Sequence, residues 1–191
     1  MALVVLVKGI NVGGHRRFRP ARLAQQLGHV GAVNIGAAGT FVIRPRVSRA
    51  RLRAEFARRL PVGSEIMICH GREIRRLLSQ DFFSGHPVRP DMVRFASLLS
   101  RLPRTTPNLP LDLPSRRDWL VKVLARDGRF IVGLYRRRMA VIGQLGALDR
   151  VFGVPLTPRT WHTLAAIASG LEGGRTSPGA RGRPLARARE A

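Results

Sequence analysis

Residues 2–8, ALVVLVK, form a β-branched apolar run with no polar residue before Lys8. A strand with one wet face alternates apolar and polar residues, so a run without alternation specifies a strand buried on both faces. The signals that follow extend the pattern. Pro20 stands where a first helical residue belongs, Leu23 and Leu27 share one helical face, and Gly28 or Gly31 marks the stop. VNIGAAGTFVI (33–43) reads as two short extended pieces hinged at Ala38-Gly39. Ser48 offers an N-cap for RARLRAEFARRL, whose Leu52, Phe56 and Leu60 line one face. EIMIC (65–69) is another apolar strand, and REIRRLL a short amphipathic helix. The order β-α-β-β-α-β is that of a ferredoxin-like unit, with two helices on one face of an antiparallel sheet.

The second half is richer in strands. MVRFASLLS (92–100) precedes a proline-laden loop, PRTTPNLPLDLPS (103–115). WLVKVLA and RFIVGLYR then flank Asp127-Gly128, a tight hairpin turn. MAVIG reads as one more strand, and GALDRVFG and PRTWHTLAAIA as closing helices. From residue 171 the chain is too rich in Gly, Pro and Arg to pack. The expected fold is therefore α+β. It has two ferredoxin-like subdomains with antiparallel sheets (1–85 and 86–170) and a disordered basic tail (171–191).

Charge narrows the partners. Of 191 residues, 34 are basic and 11 acidic, for a net charge of +23. Lys8 and Lys122 are the only lysines; the rest of the basic residues are arginines. A GC-rich genome explains arginine over lysine, but not the scarcity of carboxylates. The tail carries five arginines and two glutamates, so +20 of the excess is spread over residues 1–170. Such a surface draws polyanions: nucleic acid, or a phosphorylated small molecule. Aromatic residues make up only 6% of the chain, and no RNA-recognition aromatic motif is present, so nucleic-acid contact would be backbone-directed and salt-sensitive. Cys69 is the single cysteine, which excludes an internal disulfide. MALVVLV lacks a signal peptide's basic start and cleavage site, and no run approaches a membrane span. A cytoplasmic protein without a membrane partner is expected.

GINVGGHRRF (9–18) is the stretch that carries a site hypothesis. Gly9 and Gly14 fit the spacing of a phosphate-binding loop, yet His15-Arg16 replaces the Lys-Ser/Thr that such a loop needs for phosphate and magnesium. Free backbone N–H groups ahead of a basic helix start still suit an anion. Lys8, Asn11, Gly13, Gly14, His15, Arg16 and Arg17 are the candidate anion contacts. Asn11 and the glycines equally suit a tight left-handed turn, and the residues favour the turn. An enzyme using this loop as a cradle for a phosphorylated small molecule is the alternative to a binding or accessory module. It requires a concave pocket where the loop meets the interface of the halves, lined by Asn11, His15 and an arginine.

Other constellations are weaker. Cys69 and His70 are strand neighbours that point to opposite faces, so Cys69 reads as a buried structural residue. The histidines at 15, 29, 70, 86 and 162 show no metal-ligand spacing. No cofactor is implied, and no paired carboxylate or nucleophile motif marks a catalytic residue. Trp119 and Trp161 read as core anchors.

The two ends of the chain resemble a known family. ALVVLVKGINVGGHRRFRPARLAQQLGHVGAVNI and VFGVPLTPRTWHTLAAIA are similar to the opening and closing segments of the bacterial family named domain of unknown function 1697. The likeness runs from about Met1 to Ser169. It implies two ferredoxin-like subdomains and no assigned activity. Many members carry Tyr-Ile-Gln-Ser-Gly-Asn where this chain has Ile35-Gly36-Ala37-Ala38-Gly39-Thr40, so a polar site on that strip is weakened here. Thr160 and His162 flank Trp161 where asparagines are common in the family.

Overall fold

The computed structural model describes residues 1–10, 18–87, 89–115 and 118–172. Strand β1 (Leu3–Lys8) sits inside a four-stranded antiparallel sheet with β2 (Ala32–Asn34), β3 (Thr40–Ile43) and β4 (Glu65–His70), in the order β2-β3-β1-β4. Leu3 to Val7 are at most 4% exposed, as the unbroken apolar run requires. Leu3, Val5 and Val7 pack outward against Leu23 of α1 (Pro20–Gln26) and Leu52 and Phe56 of α2 (Arg49–Ala57). Val4 and Leu6 face the other way, into a core shared with the second half.

That second half is a five-stranded antiparallel sheet of β5 (Met92–Leu99), β6 (Leu111–Leu113), β7 (Val121–Asp127), β8 (Phe130–Arg136) and β9 (Leu156–Thr160). Its order is β6-β7-β8-β5-β9. The inner faces of both sheets meet around α3 (Gly71–Leu78) and α5 (Trp161–Glu172), through Ile74, Leu77, Leu164 and Ile167. Helix α4 (Val141–Phe152) covers the outer face of the second sheet with Val141, Leu148 and Phe152. The layers run helix, sheet, helix, sheet, helix. Cys69 is fully buried in the shared core, and Trp119 and Trp161 pack at its margin, as expected.

Several expectations for the second half need correction. The expected strand at Met139–Gly143 is instead the start of α4. Val141, Leu145, Leu148 and Phe152 recur every three or four residues, a helical period that five residues read alone conceal. Pro158-Arg159-Thr160 belongs to edge strand β9 and not to the closing helix, which begins at Trp161. Proline is tolerated there because an edge strand leaves one row of N–H groups unpaired. Among the described residues no helix lies between β5 and β7; Pro103, Pro107 and Pro110 recur too closely for one. The proposed tail begins too early: Leu171 and Glu172 complete α5, and Leu171 packs where a Cβ on Gly71 would come within 2.7 Å. The remainder of the tail, 173–191, lies outside the described residues.

The halves are wired together by arginine. Arg129 donates to the carbonyls of Ile68 (2.8 Å) and Leu99 (3.3 Å). Arg76 pairs with Asp127 at 2.8 Å, and Arg44 donates to the Gly170 carbonyl near the end of α5. No helix of the described residues is long and apolar enough to cross a membrane.

Candidate functional site

Lys8 follows Val4 and Leu6 on the inner face of β1, so its side chain is directed toward the second half. There it forms an ion pair with Asp149 of α4. The other Asp149 oxygen accepts from the Leu156 backbone N–H at 3.0 Å, fixing the carboxylate between α4 and β9. Both side chains of the pair remain partly open to solvent, at 25% and 33%.

Arg159 of β9 lies beside this pair. It is 6% exposed, and its guanidinium carries five N–H groups. Nε donates to Thr40 Oγ1 at 2.8 Å; Nη1 donates to Thr157 Oγ1 at 2.8 Å and to the Pro158 carbonyl at 2.7 Å. Nη2 reaches the carbonyls of Val7 (3.0 Å), Ala38 (2.6 Å) and Gly39 (3.3 Å). Every acceptor is neutral. Burial pulls the guanidinium down to about 10, so it stays charged at neutral pH with no carboxylate against it among the described residues.

Lys8, Asp149 and Arg159 line a cleft of about 640 Å³ between the two halves. Its walls are otherwise mostly apolar. Val7, Ile10 and Ala38 come from the first half, and Leu145, Leu156 and Pro158 from the second. Gly9 and Ile10, which open the glycine loop, also line it. Of the anion candidates only Lys8 is described, and it is already ion-paired. Asn11, Gly13, Gly14, His15, Arg16 and Arg17 lie outside the described residues.

Thr157, the hydroxyl-bearing residue of the cleft, already accepts from Arg159. The Cys69 thiol lies elsewhere, and burial pushes it up to about 12, which leaves no thiolate nucleophile at neutral pH. Among the described residues no group of three or more His, Cys, Asp or Glu gathers around a metal position.

Sequence reasoning missed Asp149 and Arg159. Asp149 pairs with a residue 141 positions away, a relation no local pattern encodes. Arg159 lies in the closing segment VFGVPLTPRTWHTLAAIA, but its PRTW stretch read as the start of a helix.

No family model matches the chain, and neither does any curated protein. A solved structure does resemble it: "conserved bacterial protein SP0830 from Streptococcus pneumoniae". The match has a TM-score of 0.55 at 15% identity, covering 89% of this chain and 98% of the other. The likeness is one of fold. It supports the mixed α+β architecture and assigns no activity.

Proposed function

We propose that the protein binds a small molecule with an apolar body and an anionic group in the cleft between its two sheets. The observation that carries this reading is Arg159, a buried guanidinium bordering an apolar cleft and lacking a countercharge among the described residues. Neutral acceptors satisfy its N–H groups without cancelling its charge, and an uncompensated charge in a low-dielectric site is costly. An anion in the adjoining cleft supplies the missing charge. The ligand's charged group would compete with Asp149 for Lys8, while its body covers Val7, Ile10, Leu145 and Leu156. The volume is that of a small-molecule pocket, roughly 300–1,000 Å³. Base stacking on nucleic acid has less support, because none of the described residues presents an exposed Phe, Tyr or Trp ring.

The same reading takes the β2-β3-β1-β4 sheet as a ferredoxin-like unit and the second sheet as a variant without its first helix. It keeps the resemblance to the domain of unknown function 1697 family, on the motifs at both ends. It also keeps a cytoplasmic location, with which a free, buried Cys69 accords.

Gly146 supplies the test. It lines the cleft, and a Cβ built there meets nothing within 4 Å, so Gly146→Leu starts a side chain in open space beside the cleft. Thermal-shift titration with aryl and alkyl carboxylates and phosphate monoesters is expected to yield members that stabilise the natural chain. A hundredfold excess over Kd corresponds to about 2.7 kcal/mol. The same compounds should leave Gly146→Leu unmoved. A panel without effect, or an equal effect on both proteins, would overturn the reading.

A further inference from the structure

We propose a second ligand site, for a phosphate-bearing anion, at the opposite end of β1 from the cleft. Five strand steps separate Leu3 from Lys8, roughly 17 Å at strand rise, so the two sites share no side chain. The fold commits some arginines to internal acceptors and leaves others unused. Arg44, Arg53, Arg59, Arg76, Arg129 and Arg159 all donate to carbonyls or carboxylates. Arg46, Arg49 and Arg72 make no ion pair and no side-chain hydrogen bond among the described residues.

Their placement distinguishes these three from other exposed arginines. Arg46 and Arg49 line a hollow of about 330 Å³ together with Ser48 and His70. Arg72 lies two residues beyond His70 on α3, outside the lining of the hollow, and its charge bears on the imidazole. The neighbouring carboxylate, Glu73, is committed to the His70 backbone N–H at 2.7 Å and lies 4.0 Å from Arg129. His70 Nδ1 is buried at the N-terminus of α3, where the His70 side chain faces the Glu73 backbone N–H in a capping box and Nδ1 meets no acceptor. An imidazolium donates from both nitrogens, so an N–H facing the ring disfavours the charged form. Burial, and then Arg49, hold His70 below its usual range; Arg72 and the terminal amino group act the same way, and Glu73 opposes them. The hollow therefore concentrates positive charge around a titratable ring and has no acid of its own to balance it. Two guanidinium groups lining the hollow, with the charge of Arg72 nearby, suit an anion with several oxygens, as phosphate has, better than a single carboxylate.

The test uses the full chain and inorganic pyrophosphate, with the five histidine imidazoles followed by NMR and His70 assigned by the loss of its signal in His70→Asn. Bound pyrophosphate is expected to raise the His70 pKa by about one unit or more, the range of an adjacent opposite charge. Sodium chloride at matched ionic strength should leave most of that rise unmade. Arg49→Gln/Arg72→Gln, both at exposed positions, should raise the pKa in the free protein and remove the pyrophosphate response. A His70 that ignores pyrophosphate, follows sodium chloride equally, or still responds in the double variant would overturn the site. So would a response to oligothymidylate alone, which would indicate a polymer backbone. The cleft reading stands or falls separately, because Gly146→Leu leaves this hollow untouched.

Discussion

At the scale of single residues, Arg159 holds six acceptors drawn from both halves, and its replacement should show how much of the interface depends on it. Arg159→Met leaves the carbonyls of Val7, Ala38 and Gly39 without this donor, and a stability loss of about 3 kcal/mol or more is expected in denaturant titration. Arg159→Lys should recover little, since three donors on a flexible stem cannot reproduce the planar fork. Gly133 is constrained differently. A Cβ there would collide with the Lys122 carbonyl oxygen and come within 3.0 Å of Phe95, beside the register shift at Val123/Ala125. Gly133→Ala should cost about 1–3 kcal/mol through displaced backbone, measurable by the same titration. Cys69 sets an alkaline limit. Its thiol ionises near 9 when unfolded and only at about 12 when folded, so the unfolded chain releases its proton first. This contribution is complete below pH 9 and declines as pH rises from 9 toward 12; in Cys69→Ala that decline should be smaller.

At the scale of elements, the sequence cues differ in quality. Ser48 was legible as an N-cap, and its Oγ accepts from the Arg51 N–H at 3.1 Å, so Ser48→Ala should cost about 1 kcal/mol. Helix α4 was only half legible, because Gly143 and Gly146 interrupt its apolar period. Both positions have open space for a Cβ. Gly143→Ala and Gly146→Ala should each stabilise the fold by about 0.5–1 kcal/mol, read as a higher melting temperature. Edge strand β4 shows a use of arginine that composition could not reveal. Arg53 and Arg129 donate to its Ile66 and Ile68 carbonyls, occupying acceptors that an incoming strand would otherwise pair with.

At the scale of the whole molecule, the halves share a core and cannot be judged apart. Val4, Leu6, Val42, Met67 and Cys69 of the first sheet are covered by α3, α5 and the second sheet. A fragment of residues 1–85 keeps α3 but loses α5 and the whole second sheet. It is expected to remain unfolded or molten by circular dichroism and NMR, while the full chain unfolds in a single transition; a native-like fragment spectrum would contradict the shared core. The basic surplus also takes on structural meaning at this scale. Among the described residues about as many basic side chains donate to carbonyls as pair with carboxylates, and many others do neither, so much of the charge persists in the folded protein.

The sequence alone determined that β1 is buried on both faces and in what order strands and helices follow through the first seventy residues, because apolar period is a local quantity; net charge, an additive one, made anions the expected ligands. The tertiary structure decided the rest. The second sheet repeats the neighbour order of the first, with β7-β8-β5-β9 answering β2-β3-β1-β4, although the two halves show no clear repeat in sequence. Backbone pairing fixes strand order without demanding the same side chains. The cleft likewise joins Lys8 to Asp149 and Val7 to Arg159, partners some 140 to 150 residues apart, which only the packing of one half on the other brings together.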